Sequence, residues 1–526
     1  MKLYETYEFT FEGPKPIGSN VQVDLKAVFT NDEKSTEVAG FYAGNGQYKV
    51  RFYPERAGHY TWKVTGVVQA QGQVNCEPSQ GQINCKPAHH KNEDVQIVQN
   101  HGMVHVRGLH FQYADGTWYY PFGTTIYAMV HQEECLVNTT MDTLKTAPFN
   151  KVRFCVFPKH YDFNHNEPKY YAFEKTDGKW DVHKPCFAFW EELEKRIKQL
   201  DTMGIQGDLI LFHPYDRWGF ADLSKEDSLV YLDYLLRRLS AFPNLWWSMA
   251  NEYDLMHHYN WEDWEEFAKF IKTHDPYGHL LSNHNCFAYW DFTQNEITHC
   301  SIQDINVNEV PELQRKYHKP VVFDECRYEG NIIHSWGNLS PKEMTHRFWT
   351  AVVYGGYCTH GETYYSEDEI LWWARGGVLK GESPARIAFL REIVEALPGP
   401  LELVEEGLGS ITVDMIEEMK INGVPEELRN DFFVSHLVNL PRERILFFIL
   451  RHRACFGHCG NEAYLRYYEK ECTSIGAMDL PKEENYRVDV IDTFEMTRKV
   501  VAENVSGLVK IDLPGKEGMA VLATRM

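Results

Sequence analysis

No apolar run in the 526 residues approaches the roughly 18 needed to cross a bilayer, so the chain offers no membrane span. Basic charge is scarce: 53 Lys and Arg stand against 75 Asp and Glu, a net charge of −22. That balance argues against nucleic acid or an anionic membrane as the main partner, because both require a positive face. There is no Gly-x-Ser-x-Gly elbow, which weakens an acyl-hydrolase reading. His131-Gln-Glu-Glu-Cys135 lacks the two-histidine helical spacing of a metalloprotease. His452, Cys455, His458 and Cys459 lack a second half at zinc-ribbon spacing, so turn and strand positions are expected for them, with no metal and no cofactor. No secretory leader is visible either. Residues 1–13 alternate apolar and polar, with Glu5, Glu8 and Glu12 breaking any apolar stretch. The 12 cysteines are scattered. Five of them (Cys155, Cys286, Cys300, Cys326, Cys358) fall in or beside expected strands, where they behave as small hydrophobes. A reducing, cytoplasmic home is the simpler expectation, although a secreted chain trimmed of its leader would read the same way. Self-association is left open.

What is present is a globular chain too long for one core. Hydrophobic residues make up 43% and aromatics 14%. The aromatics fit either large cores or surfaces that stack on sugar rings. Three parts are expected. Residues 1–88 carry short period-two strands such as Val21–Thr30 and Tyr48–Tyr53, which suggests an immunoglobulin-like β-sandwich. Pro87 to Asn100 reads as a polar linker. Residues 101–397 alternate strand and helix, with helical stripes at Trp190, Leu193, Ile197, Leu200 and at Leu229, Leu232, Leu235, Leu236, Leu239. Eight such units predict a (β/α)8 barrel. An open doubly wound sheet is the alternative, but no glycine-rich phosphate loop follows the first strand. Residues 401–526 carry strands expected at Arg444–Leu450, Tyr486–Asp492, Leu508–Leu513 and Met519–Thr524, a second sandwich-like β-domain.

The barrel rule places function at the C-terminal ends of strands. Those ends are expected near Thr124, Phe157, His213, Glu252, His284, Gln303, Glu325 and His360. Two are acids that terminate apolar runs, Glu252 after Asn244–Asn251 and Glu325 after Pro320–Asp324. A buried carboxylate needs a partner or a task. Two convergent carboxylates are what glycoside hydrolysis requires, about 5–5.5 Å apart for retention of configuration and about 6.5–9.5 Å for inversion. Arg153 is a cation inside an apolar strand, either a partner to such an acid or part of a structural ion pair. His213 and His284 end strands, while Glu329, His360 and Glu362 follow as contacts to sugar hydroxyls. Trp336, Trp372 and Trp373 are candidates for a stacking wall, or for loop packing on the barrel rim.

Trp247-Ser-Met-Ala-Asn-Glu-Tyr-Asp254 and Lys319-Pro-Val-Val-Phe-Asp-Glu-Cys-Arg-Tyr-Glu-Gly330 resemble the fourth- and seventh-strand motifs of the large (β/α)8 clan of retaining glycoside hydrolases. Phe122-Gly-Thr-Thr125, Ser282-Asn-His-Asn285 and Gly355-Gly-Tyr-Cys-Thr-His-Gly-Glu362 are more similar to its apiosidase-like branch, as are the flanking β-domains. The resemblance implies Glu252 as acid/base, Glu325 as nucleophile, Asn251 on the sugar 2-hydroxyl, and Arg153 keeping Glu325 ionised. Gln303 departs from the His or Tyr that relatives carry on strand 6, and Tyr328 is a candidate to compensate. The expected activity is a retaining exo-glycosidase acting on a small glycoside or oligosaccharide. Rival readings are a carbohydrate-binding barrel without turnover, an inverting hydrolase, and a metal-dependent hydrolase using His213, His284 and His360.

Overall fold

A computed structural model describes residues 1–78, 100–405, 410–471 and 473–526. The expected linker lies outside the described residues except for Asn100.

The centre is a ring of eight parallel strands: Phe122–Thr125, Lys151–Cys155, Gln206–Phe212, Leu245–Ala250, Leu280–Ser282, Cys300–Gln303, Val321–Glu325 and Tyr357–His360, called barrel strands 1 to 8. Each pairs with its sequence neighbour, and strand 1 pairs with strand 8. The ladder is interrupted only between strands 5 and 6, where a single parallel bridge from His284 to Ser301 completes the circle. Their apolar runs suit strands covered on both faces. Strand 3, for example, is buried at every position. The helix Phe187–Thr202 turns Trp190, Leu193, Ile197 and Leu200 inward, as its 3.6-residue stripe predicts. Lys225–Leu239 starts at Ser224, whose side chain accepts from the Asp227 amide, and Trp261–His274 starts with a capping box between Asn260 and Asp263. A three-stranded meander over residues 104–119 lies against the N-terminal ends of barrel strands, with the Phe111 ring 5.0 Å from that of Trp246 in strand 4 and 5.6 Å from that of Tyr357 in strand 8.

The N-terminal part packs a three-stranded sheet (Tyr7–Glu12, Gln47–Phe52, Phe41–Tyr42) on a four-stranded one (Ser35–Ala39, Leu25–Thr30, Gly58–Gly66, Ala70–Cys76). It is bolted to the barrel by buried charge. Arg51 lies 2.6 Å from Glu194 of one barrel helix, and Glu194 also pairs with Arg238 of the next at 2.6 Å. The C-terminal part combines a six-stranded sheet with the two-stranded sheet of Ile475–Leu480 and Gly507–Asp512, over a core that includes Met478, Val488, Ile511 and Val521.

One expected strand is a helix. Arg444–Leu450 falls within Arg442–His452, which packs with helices Val413–Asn422 and Phe432–Leu437 on a small separate core. A continuous apolar run does not distinguish strand from helix by period. Here Ile445 and Ile449, four residues apart, face that core.

Candidate active site

A cavity of about 710 Å³ is lined by residues at the C-terminal ends of the barrel strands and in the loops that follow them. Asn251, Glu252, Gln303, Glu325, Tyr328, Trp336 and Trp373 all line it. So do residues that strand-end reasoning passes over: Tyr127 after strand 1, Lys159, Tyr161 and Phe163 after strand 2, Tyr215 after strand 3, and Arg327 after strand 7.

Glu325 sits among cations and donors. Arg153 Nη1 is 3.6 Å from its Oε1, an ion pair rather than a hydrogen bond, and His284 Nε2 is 3.3 Å away. The Tyr127 hydroxyl donates to the same oxygen. Burial alone would raise this carboxyl. The His284 contact and the charges of Arg153 and Lys159 outweigh it and hold Glu325 at about 2, below the usual carboxylate range. Beneath it, Lys151 Nζ lies 2.6 Å from both Asp208 and Asp324. Arg153 Nε is 3.4 Å from Asp208. Asp324 is likewise pushed down by Lys151 and Arg153 against the opposing effect of burial.

Glu252 has only neutral partners at hydrogen-bond distance. Tyr215 donates to Oε2, and Gln303 Nε2 donates to Oε1 at 3.2 Å. Gln303 therefore bonds Glu252 rather than Glu325, and its Oε1 lies 3.3 Å from His284 Nε2. A two-residue bridge, Gln303 and His284, thus spans from one glutamate to the other. Glu252 has a left-handed backbone, φ 56° and ψ 56°, which a non-glycine residue adopts at a cost of about 1–3 kcal/mol. The flanking amides hold it there: Asn251 N–H donates to the Phe212 carbonyl and Tyr253 N–H to the His284 carbonyl, each at 3.0 Å. Asn251 Oδ1 accepts from Arg153 Nη2 at 3.4 Å and lies 3.0 Å from the Tyr127 hydroxyl. Arginine only donates, so the amide oxygen is on that side and the NH2 group remains for the cavity.

Five expected contacts lie elsewhere. His213 is buried and bonds the Phe157 carbonyl at 3.1 Å, and burial drives its pKa down to about 3. His360 lies inside the barrel against Thr124 and the Phe149 ring, also lowered to about 3. Glu329 and Glu362 accept backbone amides of residues 380–383 and fix that loop. Trp372 donates to Thr124 Oγ1 at 2.8 Å, while its neighbour Trp373 faces the cavity. The reason is the same in each case: being at or near a strand end does not decide whether a side chain points into the cavity or into the packed barrel below it. His213, His284 and His360 bond different neighbours, and among the described residues no group of three His, Cys, Asp or Glu is placed to hold a metal ion.

Trp336, Trp373, Tyr328, Tyr161 and Phe163 form one aromatic wall, with the Trp336 and Trp373 rings 4.9 Å apart and Phe163 6.1 Å from each.

The model of the apiosidase-like catalytic domain matches residues 106–387, more than half of the chain. The chain belongs to the apiosidase-like family. That membership makes this apiosidase-like protein a glycoside hydrolase. Two domains of unknown function, DUF5060 over residues 1–66 and DUF5605 over 452–524, match the flanking parts. The solved structure of a candidate glycoside hydrolase from Bacteroides vulgatus covers 100% of this chain and 99% of its own, at 33% identity and a TM-score of 0.83. A glycoside hydrolase family 5 structure from Bacteroides vulgatus covers 83% and 95% at 15% identity and a TM-score of 0.59, a likeness of fold alone. No curated protein matches the chain.

Proposed function

We propose that the chain is a retaining exo-glycosidase working by double displacement, with Glu325 as nucleophile and Glu252 as acid/base. The observation that carries this reading is the contrast between two carboxyls in one cavity. Glu325 is held ionised by an arginine at 3.6 Å and a histidine at 3.3 Å, as a nucleophile must be. Glu252 meets only neutral donors at hydrogen-bond distance and lacks the cation at ion-pair distance that Glu325 has, the asymmetry that separate acid/base and nucleophile roles require. Glu325 would attack the anomeric carbon while Glu252 protonates the departing oxygen. The glycosyl-enzyme ester would neutralise Glu325, and Glu252, now ionised, would take a proton from the attacking water. The free amide N–H of Asn251 suits the 2-hydroxyl, a contact that strengthens in the oxocarbenium-like transition state. Exo action is supported by the aromatic wall along one side of the cavity. The substrate would then be a small glycoside or the end of an oligosaccharide.

The test is a pair of variants on a nitrophenyl glycoside. Glu325→Gln should be inactive with every leaving group, because no ester forms. Glu252→Ala should give a burst and then slow turnover that azide accelerates, since a nitrophenolate scarcely needs the proton. Proton NMR of the wild-type reaction should show the first product with retained anomeric configuration. Inverted product, or azide rescue of Glu325→Gln in place of Glu252→Ala, refutes the assignment.

A further inference from the structure

Every deeply buried cation around the two glutamates has a carboxylate within ion-pair distance except one. Lys151 has two at 2.6 Å, and Arg153 has Asp208 at 3.4 Å and Glu325 at 3.6 Å. Lys159 has none. Its side chain lines the cavity and the residue is only 2% exposed. Its ammonium lies over aromatic faces, 3.4 Å from the Tyr127 ring centroid, 4.2 Å from that of Tyr215 and 5.5 Å from that of Trp373. Tyr127 is the tyrosine that donates to Glu325, and Tyr215 the one that donates to Glu252. Lys159 therefore sits between the two catalytic positions, and among the described residues no acceptor engages any of its three N–H groups.

The placement is built rather than incidental. The Lys159 carbonyl accepts from buried Asn164 at 2.6 Å, Asn164 accepts from Gln132 at 3.0 Å, and Gln132 from Arg375 at 2.9 Å. Ring faces compensate a desolvated ammonium only in part. Burial accordingly lowers the proton affinity of Lys159. A largely buried charge without an acceptor is costly unless a ligand supplies one. Glu252 and Glu325 act on that charge only from beyond ion-pair distance; a sugar hydroxyl would satisfy one N–H and add no opposite charge, whereas a carboxylate supplies both an acceptor in contact and the opposite charge. Arg327, also on the cavity wall, likewise engages no acceptor among the described residues.

We propose that Lys159 is a specificity-determining residue, and that the sugar seated between Glu252 and Glu325 carries a carboxylate, as a uronic acid does. This rests on the cavity being the glycoside site proposed above.

The test is calorimetric titration of the full-length protein with D-glucuronate, D-galacturonate and D-mannuronate, each beside its parent neutral sugar and its methyl ester. At least one uronate should bind about tenfold or more tighter than both neutral forms, as a charge-assisted contact requires. In Lys159→Met that gap should close. No preference for any uronate in the wild type overturns the proposal, as does a preference that survives in Lys159→Met. If Lys159→Met fails to fold by circular dichroism, Lys159→Gln replaces it, and the wild-type comparison of acid with ester still decides. Turnover separates this idea from the one beneath it. Uronates that bind through Lys159 while their nitrophenyl glycosides stay uncleaved would overturn the hydrolytic assignment and leave the carboxylate site standing.

Discussion

Arg153→Met should move the acidic limb of the pH–rate profile upward. The side chain is fully buried, its Nη1 is 3.6 Å from Glu325 Oε1, and Met keeps much of its length without the charge. At that distance a unit pair at an effective dielectric of about 20 interacts by about 4–5 kcal/mol, the equivalent of about three pKa units. Part of this will be recovered by relaxation, and His284 and Lys159 remain, so a rise of about 1–3 units is expected. Glu325 starts near 2, and the variant should therefore titrate at roughly 3–5. The sign follows from the role. A nucleophile works only when ionised, so activity is lost as pH falls through its pKa, and a higher pKa brings that loss at higher pH. The assay is kcat/KM from pH 2.5 to 8 on an activated glycoside, with circular dichroism at each pH to confirm that the fold persists. An unchanged acidic limb in a folded variant would mean that Arg153 serves Asp208 and Asp324, and that Glu325 is held ionised by His284 and Lys159.

Asp324→Asn should destabilise the barrel by about 3–5 kcal/mol, because it leaves buried Lys151 with one carboxylate in place of two. Asp324 has a depressed pKa, so its contribution is full above the ordinary carboxylate range and fades as pH falls through the folded value. The gap in melting temperature between wild type and variant should therefore shrink in acid, and a gap independent of pH would refute the ion-pair account. Glu194→Gln should separate the N-terminal sandwich from the barrel, since Glu194 is the shared partner of Arg51 and Arg238. A loss of about 3 kcal/mol, seen as a lower melting temperature or a second transition by calorimetry, is expected. Wild-type melting would show the pair to be dispensable.

The position of the two glutamates on the cavity was legible because each ends an apolar run, and the ends of barrel strands converge on one pocket. Asn251, Gln303, Tyr328, Trp336 and Trp373 followed from the same rule of strand ends and their loops. Tyr127, Lys159 and Tyr215 did not. They stand beyond the ends of strands 1, 2 and 3, where no period constrains the chain and a lone lysine or tyrosine looks like any exposed loop residue. His213 and His360 were read toward the cavity for want of their side-chain direction, which depends on parity at the last strand residue. The helix Arg442–His452 was read as a strand because Ile445-Leu-Phe-Phe-Ile-Leu450 is apolar at every position and carries no phase.

The left-handed turn at Glu252 accounts for a peculiarity of the sequence itself. A pleated strand sends successive side chains to opposite faces, so two neighbours should never serve one ligand. Asn251 and Glu252 are adjacent and both reach the cavity. The pleat is broken at this point, and the twist that breaks it lets a dipeptide present two polar side chains to the same cavity. The strained φ is the geometric reason that an Asn-Glu pair, rather than Asn-x-Glu, can mark this site.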